Sequence, residues 1–426
     1  MKRTIRFTAG ILAWGSFILS LTLYVISYIK LPIQYVFIAN YFLSYSILVS
    51  LISITCWLIR NKIWNGVSFS FQHYFIILRI RKQIYDAKIQ TEFENSLIKL
   101  PKIKLKFDNK KNNGTIFIRN SIKFDKQLQD LRLDGALKKY CVERQFLDME
   151  GNWYTYEFYS NKLLKQQLFE SLKEYLDWST ETTDDYQLRL DNRCTVSIHQ
   201  FGFSGQTGSG KTMLLQAICL QLISKSVPHE LFIIDPKRAD LYHFFNSKLI
   251  EGHVSDRNGA IELIKHFHSK LIARQTELDV YFQKNSNTTY IDAKLPAIVL
   301  LIDEFGSLKE SWKSLLKAER DQLDSMLADI VFLGRQLGVF LWCCSQQLSA
   351  QVFNNSTAIR DQLVLKIALG NSDEQTYRTL FASSVDIPNQ LLKAGQGVVS
   401  YPGIATVDKP KFLSTPFCSF LITKNT

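Results

Sequence analysis

The sequence lacks the paired cysteine and histidine patterns that build small metal-bound or disulfide-linked proteins. Its seven cysteines are an odd number, lie scattered between Cys56 and Cys418, and form no CxxC pair. No HExxH pattern occurs either. These absences argue against a disulfide framework and a zinc site. They favour cysteines that serve as small apolar core residues in a reducing compartment.

Acidic residues are in deficit relative to basic ones. The chain has 39 Asp and Glu against 51 Lys and Arg, a net charge of +12. An excess of this size favours an anionic partner such as nucleic acid or a phospholipid surface. The length of 426 residues exceeds one ordinary domain, and an apolar fraction of 46% supplies enough core, so two or three units are expected.

Charge is absent from two long stretches near the start of the chain. Thr8–Ile29 gives 22 uncharged residues and Tyr35–Ile59 gives 25. Because about 20 apolar residues span a bilayer, residues 1–62 are predicted to form a two-span transmembrane hairpin. A secretory signal peptide is the alternative, but its apolar region would be shorter and followed by a cleavage site rather than by a second apolar stretch.

Basic residues flank these stretches unevenly. Lys2, Arg3 and Arg6 precede the first stretch, several more follow the second, and Lys30 alone lies between them. By the positive-inside rule, both termini are predicted to be cytoplasmic in a protein of the cell membrane.

A basic segment, residues 63–98, is predicted to link the hairpin to the rest of the chain. From Arg60 to Lys111 there are twelve basic and four acidic residues. This excess favours contact with anionic lipid headgroups or a topology signal, with nucleic acid as the alternative partner. Residues 99–180 then show short strand-like patterns and one helical pattern, and they are predicted to form a small α+β domain.

Three of the chain's 19 glycines lie within nine residues, Ser204–Thr212, which read SGQTGSGKT. The match to G-x-x-x-x-G-K-[ST] lies between an apolar-leaning stretch and a helix candidate, the order that a phosphate-binding loop requires. Lys211 is predicted to reach the β and γ phosphates of ATP, and Thr212 to bind Mg²⁺. The residues whose backbone is predicted to surround the phosphates are Gly205, Gln206, Thr207, Gly208, Ser209 and Gly210.

A second polar site follows the apolar run Ala297–Ile302, which is typical of a buried parallel strand. Asp303 is predicted to hold Mg²⁺, and Glu304 to polarise the attacking water. After another apolar run, Gln346 is predicted to sense the γ phosphate. Because ligands bind at the carboxyl ends of parallel strands, residues 181–426 are predicted to be an α/β domain, a mostly parallel sheet with helices on both faces.

Five stretches together resemble the motor domain of the FtsK/SpoIIIE family. They are, in chain order, GQTGSGKT, IIDPKR, IVLLIDEF, FLGRQLGVFLWCCSQQ and LKIALGNSDEQTYRTL, within residues 180–405. The resemblance implies a RecA-like P-loop ATPase fold, a homo-hexameric ring, ATP hydrolysis at subunit interfaces and translocation of double-stranded DNA through the ring. It also implies the phosphate and metal roles of Lys211, Thr212 and Asp303, the base role of Glu304 and the sensor role of Gln346.

A ring motor also needs an arginine from the neighbouring subunit to stabilise the transition state. Arg378 in YRTL matches a family arginine and is the first candidate, with Arg335 and Arg360 as alternatives. The chain departs from the family pattern at Gln347, where arginine is more usual. The strand before the phosphate loop is also more polar than usual, with His199 and Gln200.

The short, basic, two-span organisation resembles the coupling proteins of Gram-positive conjugative plasmids and integrative conjugative elements. This resemblance implies a coupling protein that delivers relaxase-bound DNA to a type IV secretion channel. The partners would then be DNA, relaxase or relaxosome proteins, secretion-channel proteins and membrane lipid.

Three other hypotheses stay open. A segregation translocase is one, although the chain ends soon after its last predicted strand and leaves no room for a winged-helix module that reads DNA orientation. A protein-export ATPase resembling those of type VII secretion is another, although such chains usually carry several ATPase domains. A membrane tether that binds nucleotide without turnover is the third, and the acid pair Asp303 and Glu304 argues against it.

Overall fold

The computed structural model describes residues 3–4, 15, 17–22, 24–26, 33–92, 97–108, 112–247, 253–283, 287–348, 357–385 and 391–422. The chain forms two compact units, Met1–Leu163 and Leu164–Thr426. The division lies earlier than the sequence-based boundary at residues 180/181, because residues 164–180 are part of the second unit.

The first unit begins with a two-residue strand, β1 (Arg3–Thr4), and a helix, α1 (Ile33–Arg60). Among the residues that are described, no helix combines the length and apolar character of a membrane span. The predicted two-span hairpin is therefore not supported by the structure. Most of its first stretch, Thr8–Ile29, lies outside the described residues.

A four-stranded antiparallel sheet forms the body of the first unit, in the spatial order β4-β5-β7-β6. The elements of this unit after α1 are α2 (Val67–Asp86), β2 (Thr91–Glu92), β3 (Leu97–Lys99), β4 (Ile103–Phe107), β5 (Asn113–Arg119), α3 (Asp125–Gln129), α4 (Asp134–Leu137), β6 (Tyr140–Leu147) and β7 (Trp153–Ser160). The short strands β1, β3 and β2 form a separate small sheet. Strands β4 to β7 confirm the short strand-like patterns predicted within residues 99–180.

Helix α2 supplies one side of the core of this unit, although it lies in the segment predicted as a basic linker. Ile76, Ile80 and Ile84 recur every four residues, so they share one helical face, and all three are almost fully buried. They pack in one cluster with the inward-facing residues of the sheet, such as Ile116 and Tyr156. Fully burying an isoleucine contributes about 1.5–3 kcal/mol, which fixes this helix on the sheet.

The second unit alternates strands and helices. Its strands are β8 (Leu168–Phe169), β9 (Gln187–Arg189), β10 (Thr195–Ser197), β11 (Phe201–Gly205), β12 (Glu230–Ile234), β13 (His253–Val254), β14 (Ile298–Ile302), β15 (Val339–Ser345), β16 (Leu365–Leu369), β17 (Gln396–Ser400), β18 (Lys411–Ser414) and β19 (Phe417–Cys418). Its helices are α5 (Leu172–Thr180), α6 (Lys211–Ile223), α7 (Asp240–Ser247), α8 (Arg257–Phe282), α9 (Phe305–Ser311), α10 (Lys317–Leu337), α11 (Thr357–Gln362) and α12 (Glu374–Leu380).

An eight-stranded sheet organises this unit, in the order β13-β12-β14-β15-β11-β16-β17-β18. The first six strands are parallel, and β17 and β18 add an antiparallel edge. Every residue of β11, β14, β15 and β16 is buried, which explains why their sequences are almost continuously apolar. The predicted α/β fold with a mostly parallel sheet is confirmed.

The side chain of the polar residue Gln200, which precedes β11, is buried in the core and hydrogen-bonded there. Its side-chain amide donates to the carbonyl oxygens of Ile330 and Val339 at 3.1 and 3.3 Å, and its oxygen accepts the Leu341 N–H at 2.5 Å. Gln200 therefore joins the approach to β11 to helix α10 and strand β15. A buried amide is tolerated because its hydrogen-bonding groups have partners.

Lys366 on β16 is a buried charge-bearing side chain in the same sheet. It lies opposite Gly202 of β11 and Ser400 of β17 and is only 3% exposed. Burial lowers its pKa to about 8, nearby Asp361 partly offsets the shift, and Arg360 adds to it. The protonated form is thus disfavoured in the folded chain.

This burial predicts that Lys366 contributes a pH-dependent term to stability. An unfolded lysine has a pKa near 10.4, so between roughly pH 8 and 10.4 the unfolded chain binds more protons at this residue, and the Lys366 contribution to the free energy of unfolding should rise across that window. Lys366→Met should raise the free energy of unfolding at pH 7 by up to about 3 kcal/mol, and this difference from wild type should shrink as the pH rises through the window. Urea denaturation of the second unit from pH 7 to 10.5 measures both effects.

Lys265→Met, at a side chain that is 46% exposed, is the matched control and should keep the wild-type pH dependence. If the free energies of unfolding of Lys366→Met and wild type change in parallel with pH, Lys366 does not contribute the expected pH dependence.

Candidate functional site

The candidate site is built around the turn between β11 and α6. Ser204 at the end of β11 pairs with Ser345 of β15 on one side and with Ala368 of β16 on the other. The loop 206–210 therefore emerges at the carboxyl edge of the parallel strands, in the middle of the sheet. In sheets of this kind, that edge is where ligands bind.

Two glycines shape the loop. Gly208 and Gly210 have φ of +82° and +92°, a backbone conformation that other residues rarely adopt. A Cβ on Gly210 would also lie 2.7 Å from the backbone nitrogen of Gly395. The Gly395 N–H donates to the Ser209 carbonyl at 2.8 Å, so the residue before β17 supports the loop.

The loop residues fit a phosphate-bearing ligand. Helix α6 begins at Lys211, so the positive end of a 13-residue helix lies directly after the loop. The Ser209 hydroxyl is buried and has no hydrogen-bond partner within the described part of the chain. A buried hydroxyl without a partner is costly, and a bound oxyanion would supply one.

Two carboxylates follow β14 at the same edge of the sheet. Asp303 is 9% exposed and its Oδ1 accepts the N–H of Glu304 at 3.0 Å. Glu304 has φ +50°, a left-handed conformation that is uncommon for a residue with a side chain. Backbone strain of this kind clusters at functional sites, where the surrounding structure maintains it.

Two lysines share the carboxylate of Glu304. Lys211 Nζ and Lys237 Nζ lie 3.3 and 3.2 Å from its Oε1. Lys211 and Glu304 have side chains that are only 11% and 14% exposed, whereas Lys237 is 47% exposed. The structure thus brings together the predicted phosphate-binding lysine and the predicted base, and it adds Lys237.

Burial and charge set the protonation of this cluster. Burial raises the pKa of the Asp303 carboxyl, and Lys211 and a hydrogen bond from the Cys344 thiol partly offset the shift. Burial opposes the charge of Lys211, but the neighbouring Asp303 and Glu304 outweigh it and raise the pKa of the lysine. Burial raises the pKa of Cys344 well above its ordinary value, so its thiol is neutral.

Asp235 explains how Lys237 reaches the site. Its carboxylate is completely buried and accepts the backbone N–H groups of Lys237, Ala239 and Tyr242 at 2.9–3.1 Å. These bonds fold the chain after β12 into a tight turn. Asp235 therefore organises the backbone, and Lys237 is the residue of the Asp-Pro-Lys stretch that reaches Glu304.

Gln346 lies at the same edge, directly after β15. Its backbone carbonyl accepts the Ser204 hydroxyl at 2.7 Å, which holds it beside the phosphate-loop strand, and its side chain is exposed. The sensor role of Gln346 stays a prediction.

The three candidate arginines lie outside the Glu304 cluster of this chain. Arg378 on α12 is 47% exposed and pairs with Glu374 at 2.5 Å. Arg360 is held by Asp361 at 2.9 Å and by the Thr379 carbonyl. Arg335 lies exposed on α10. A trans role needs a neighbouring chain, so the choice among them stays a prediction.

In the described ranges, no group of three or more His, Cys, Asp or Glu side chains is arranged to hold a metal ion. Mg²⁺ that accompanies a nucleotide needs less than that, because it usually takes one or two protein oxygens together with phosphate oxygens and water. Thr212, in the first turn of α6, and Asp303 are the oxygen donors predicted to hold it.

Loop, helix start and carboxylates together define a nucleotide-binding α/β domain of the phosphate-loop class. No protein-family model matches the chain. It is 26% identical over 178 residues to the FtsK domain-containing protein YdcQ of Bacillus subtilis, covering 42% of this chain and 35% of YdcQ. It is also 26% identical over 194 residues to the DNA translocase FtsK of Bacillus cereus, covering 42% of this chain and 23% of that protein.

A third relative is the ESX secretion system protein EccC of Geobacillus thermodenitrificans, 27% identical over 205 residues, which cover 44% of this chain and 13% of EccC. Among solved structures, the pCW3 conjugation coupling protein TcpA with ATPγS gives a TM-score of 0.47 at 15% identity, covering 80% of this chain and 95% of TcpA. The cytoplasmic domain of the Thermomonospora curvata type VII secretion ATPase EccC gives a TM-score of 0.42 at 16% identity, covering 55% of this chain and 29% of that one.

The chain is related to the FtsK/SpoIIIE-type translocases, and the resemblance predicted from the sequence is confirmed. The sequence relatives carry this conclusion. The chain spans only about a third or less of the length of the curated relatives cited above.

The geometry predicts that Lys237 positions Glu304. When a phosphate draws Lys211 away, Lys237 is left as the cation that orients the carboxylate, so Lys237→Met should lower kcat for ATP about ten-fold and leave KM nearly unchanged. Steady-state ATP hydrolysis measures both constants. Lys237→Arg, which keeps the charge, should recover most of kcat, and an equal loss in both variants would contradict the positioning role.

Proposed function

We propose that the chain is an ATP-hydrolysing DNA translocase that acts as the coupling protein of a conjugative type IV secretion channel and delivers relaxase-bound DNA to it. The observation that carries the ATPase part is the cluster of Lys211, Glu304 and Asp303 beside the phosphate loop. Its residue types and their position at the carboxyl edge are those that phosphoryl transfer to water requires.

In this proposal, ATP supplies the phosphoanhydride bond. Thr212 and Asp303 would hold Mg²⁺, which would neutralise phosphate charge when bound. Lys211 leaves Glu304 for the phosphates. Glu304, released from one of its two lysine partners, then orients the attacking water and accepts its proton.

DNA as the moving partner is supported by the relatives named DNA translocase and by the net charge of +12. The ESX secretion relative favours a second candidate, an ATPase that exports protein. The two differ in what stimulates turnover, because a nucleic-acid motor couples hydrolysis to its track.

The conjugative assignment and the membrane location rest on the sequence alone. The two uncharged stretches within residues 1–62 and their basic flanks support attachment to the cell membrane. Alkaline extraction of membranes from cells that express the full chain tests the attachment, and complete release of the chain would contradict it.

Hydrolysis of ATP by the purified full chain, with and without DNA, is the central test. The proposal predicts strong stimulation by DNA and loss of nearly all activity in Lys211→Ala. Glu304→Gln should still bind ATP but lower kcat by on the order of 10²-fold or more. Comparing the stimulation by single-stranded and by double-stranded DNA shows which form of DNA the chain acts on.

A matched control is Lys309→Ala, which removes a lysine that pairs with Asp324 outside the site. It should keep both turnover and stimulation. ATP turnover that does not change when DNA is added would favour the protein-export candidate. Wild-type turnover in Lys211→Ala would contradict the proposed ATPase site.

We also propose that the chain forms a hexameric ring in which Arg378 acts on the site of the neighbouring subunit. Its exposed position on α12 leaves it accessible to another copy. Arg378→Ala and Lys211→Ala should each be inactive alone, and mixing them should restore hydrolysis, because some interfaces then join an intact loop to an intact arginine. No recovery on mixing would contradict a trans role for Arg378.

A further inference from the structure

The sheet of the first unit has one face on the core and one face away from it. Strands alternate their side chains between the two faces. The face opposite the core, here called the outer face, is crossed by a row of four residues paired in register: Lys104 on β4, Phe117 on β5, Thr155 on β7 and Phe146 on β6.

Aromatic rings on this face are close together. Phe117 and Trp153 meet edge to face with ring centroids 6.5 Å apart. Phe146 lies across Thr155 from Phe117 and is 41% exposed. Outward positions of an antiparallel sheet are normally polar, so three aromatic residues here need another explanation than the core.

Cations surround these rings. The Lys104 ammonium lies 4.2 Å from the Trp153 ring centroid, and the Arg119 guanidinium lies 5.4 Å from it. Lys106 Nζ is 5.4 Å from the centre of Phe117. Arg144 on β6 is a further exposed basic residue. It pairs in register with the acidic residue Glu157 on β7.

We propose that the outer face binds single-stranded nucleic acid, with bases stacked on Phe117, Phe146 and Trp153 and phosphates held by the lysines and arginines around them. Aromatic side chains combined with a positively charged track are the arrangement that binds single strands without reading their sequence. Open faces of four-stranded antiparallel sheets that carry aromatic residues serve the same purpose in RNA-binding modules. The inference does not depend on the proposed motor function.

Charge complementarity favours this occupant over a lipid surface. A membrane contact needs basic residues, but it gives no reason for aromatic rings on one face of three neighbouring strands, with Phe117 and Phe146 in the same row. A nucleotide uses both basic residues and rings, because its base stacks on a ring while its phosphate contacts a cation about one strand spacing away.

The test compares two sets of substitutions in the full chain. Phe117→Leu with Trp153→Leu removes the stacking rings but keeps apolar bulk. Lys104→Gln, Lys106→Gln and Arg119→Gln remove charge from exposed positions. Binding of fluorescein-labelled oligo(dT) without nucleotide is followed by fluorescence anisotropy across a salt series, and circular dichroism checks that each variant is folded.

The aromatic variant should bind the single strand about ten-fold more weakly. The charge variant should make the slope of log K against log salt less steep by about 2, since three contacts at about 0.7 each are lost. The matched control, Lys82→Gln with Lys126→Gln and Arg132→Gln, removes the same charge from exposed residues outside the sheet and should leave the slope near wild type.

Three results would overturn the proposal. The first is unchanged oligo(dT) binding in both folded outer-face variants. The second is an equal loss of binding to a duplex, which would indicate a general electrostatic surface without stacking. The third is intact oligo(dT) binding together with lost binding to phosphatidylserine vesicles, which would make the outer face a membrane contact.

Discussion

The register of the parallel strands is the constraint on which the candidate site depends. Ile234 of β12 pairs with Ile302 of β14, Ile302 pairs with Cys343 of β15, and Cys343 pairs with Gly202 of β11. The residues that follow these strands are therefore level with one another at one edge of the sheet. Carboxylates, lysines and the phosphate loop thus become neighbours although they lie far apart in the chain.

Much of the second unit could be predicted because its information is local. Buried parallel strands need continuous apolar runs, and β14 and β15 supply them. The first unit was harder. Helix α2 buries a narrow apolar stripe within a basic sequence that favours an exposed segment. Strand β6 is bulged between Val142 and Arg144, so its alternation changes face and gives a weak pattern. The boundary near residue 164 depends on the pairing of β8 with β19, which no local pattern reveals.

The site divides in the same way. The loop residues, Lys211 and the acid pair could be located because each belongs to a short pattern with a physical purpose. Lys237 could not be assigned, since its approach to Glu304 depends on the turn organised by Asp235. Cys344 looked like an ordinary apolar position, and only the fold shows its thiol hydrogen-bonded to Asp303. The roles of Gln346 and Arg378 involve a nucleotide or a second subunit, which one chain does not contain.

The bond from Gly395 to the Ser209 carbonyl has a consequence for biosynthesis. Nearly two hundred residues separate these partners, so a nascent chain that ends before Gly395 holds a phosphate loop without its support. Strands β12, β14 and β15 can assemble earlier, because they lie on one side of β11 in the sheet and precede this glycine in the chain. The nucleotide loop is therefore among the last parts of the sheet to be completed as the chain leaves the ribosome, which delays a fully formed nucleotide site until most of the unit has been synthesised.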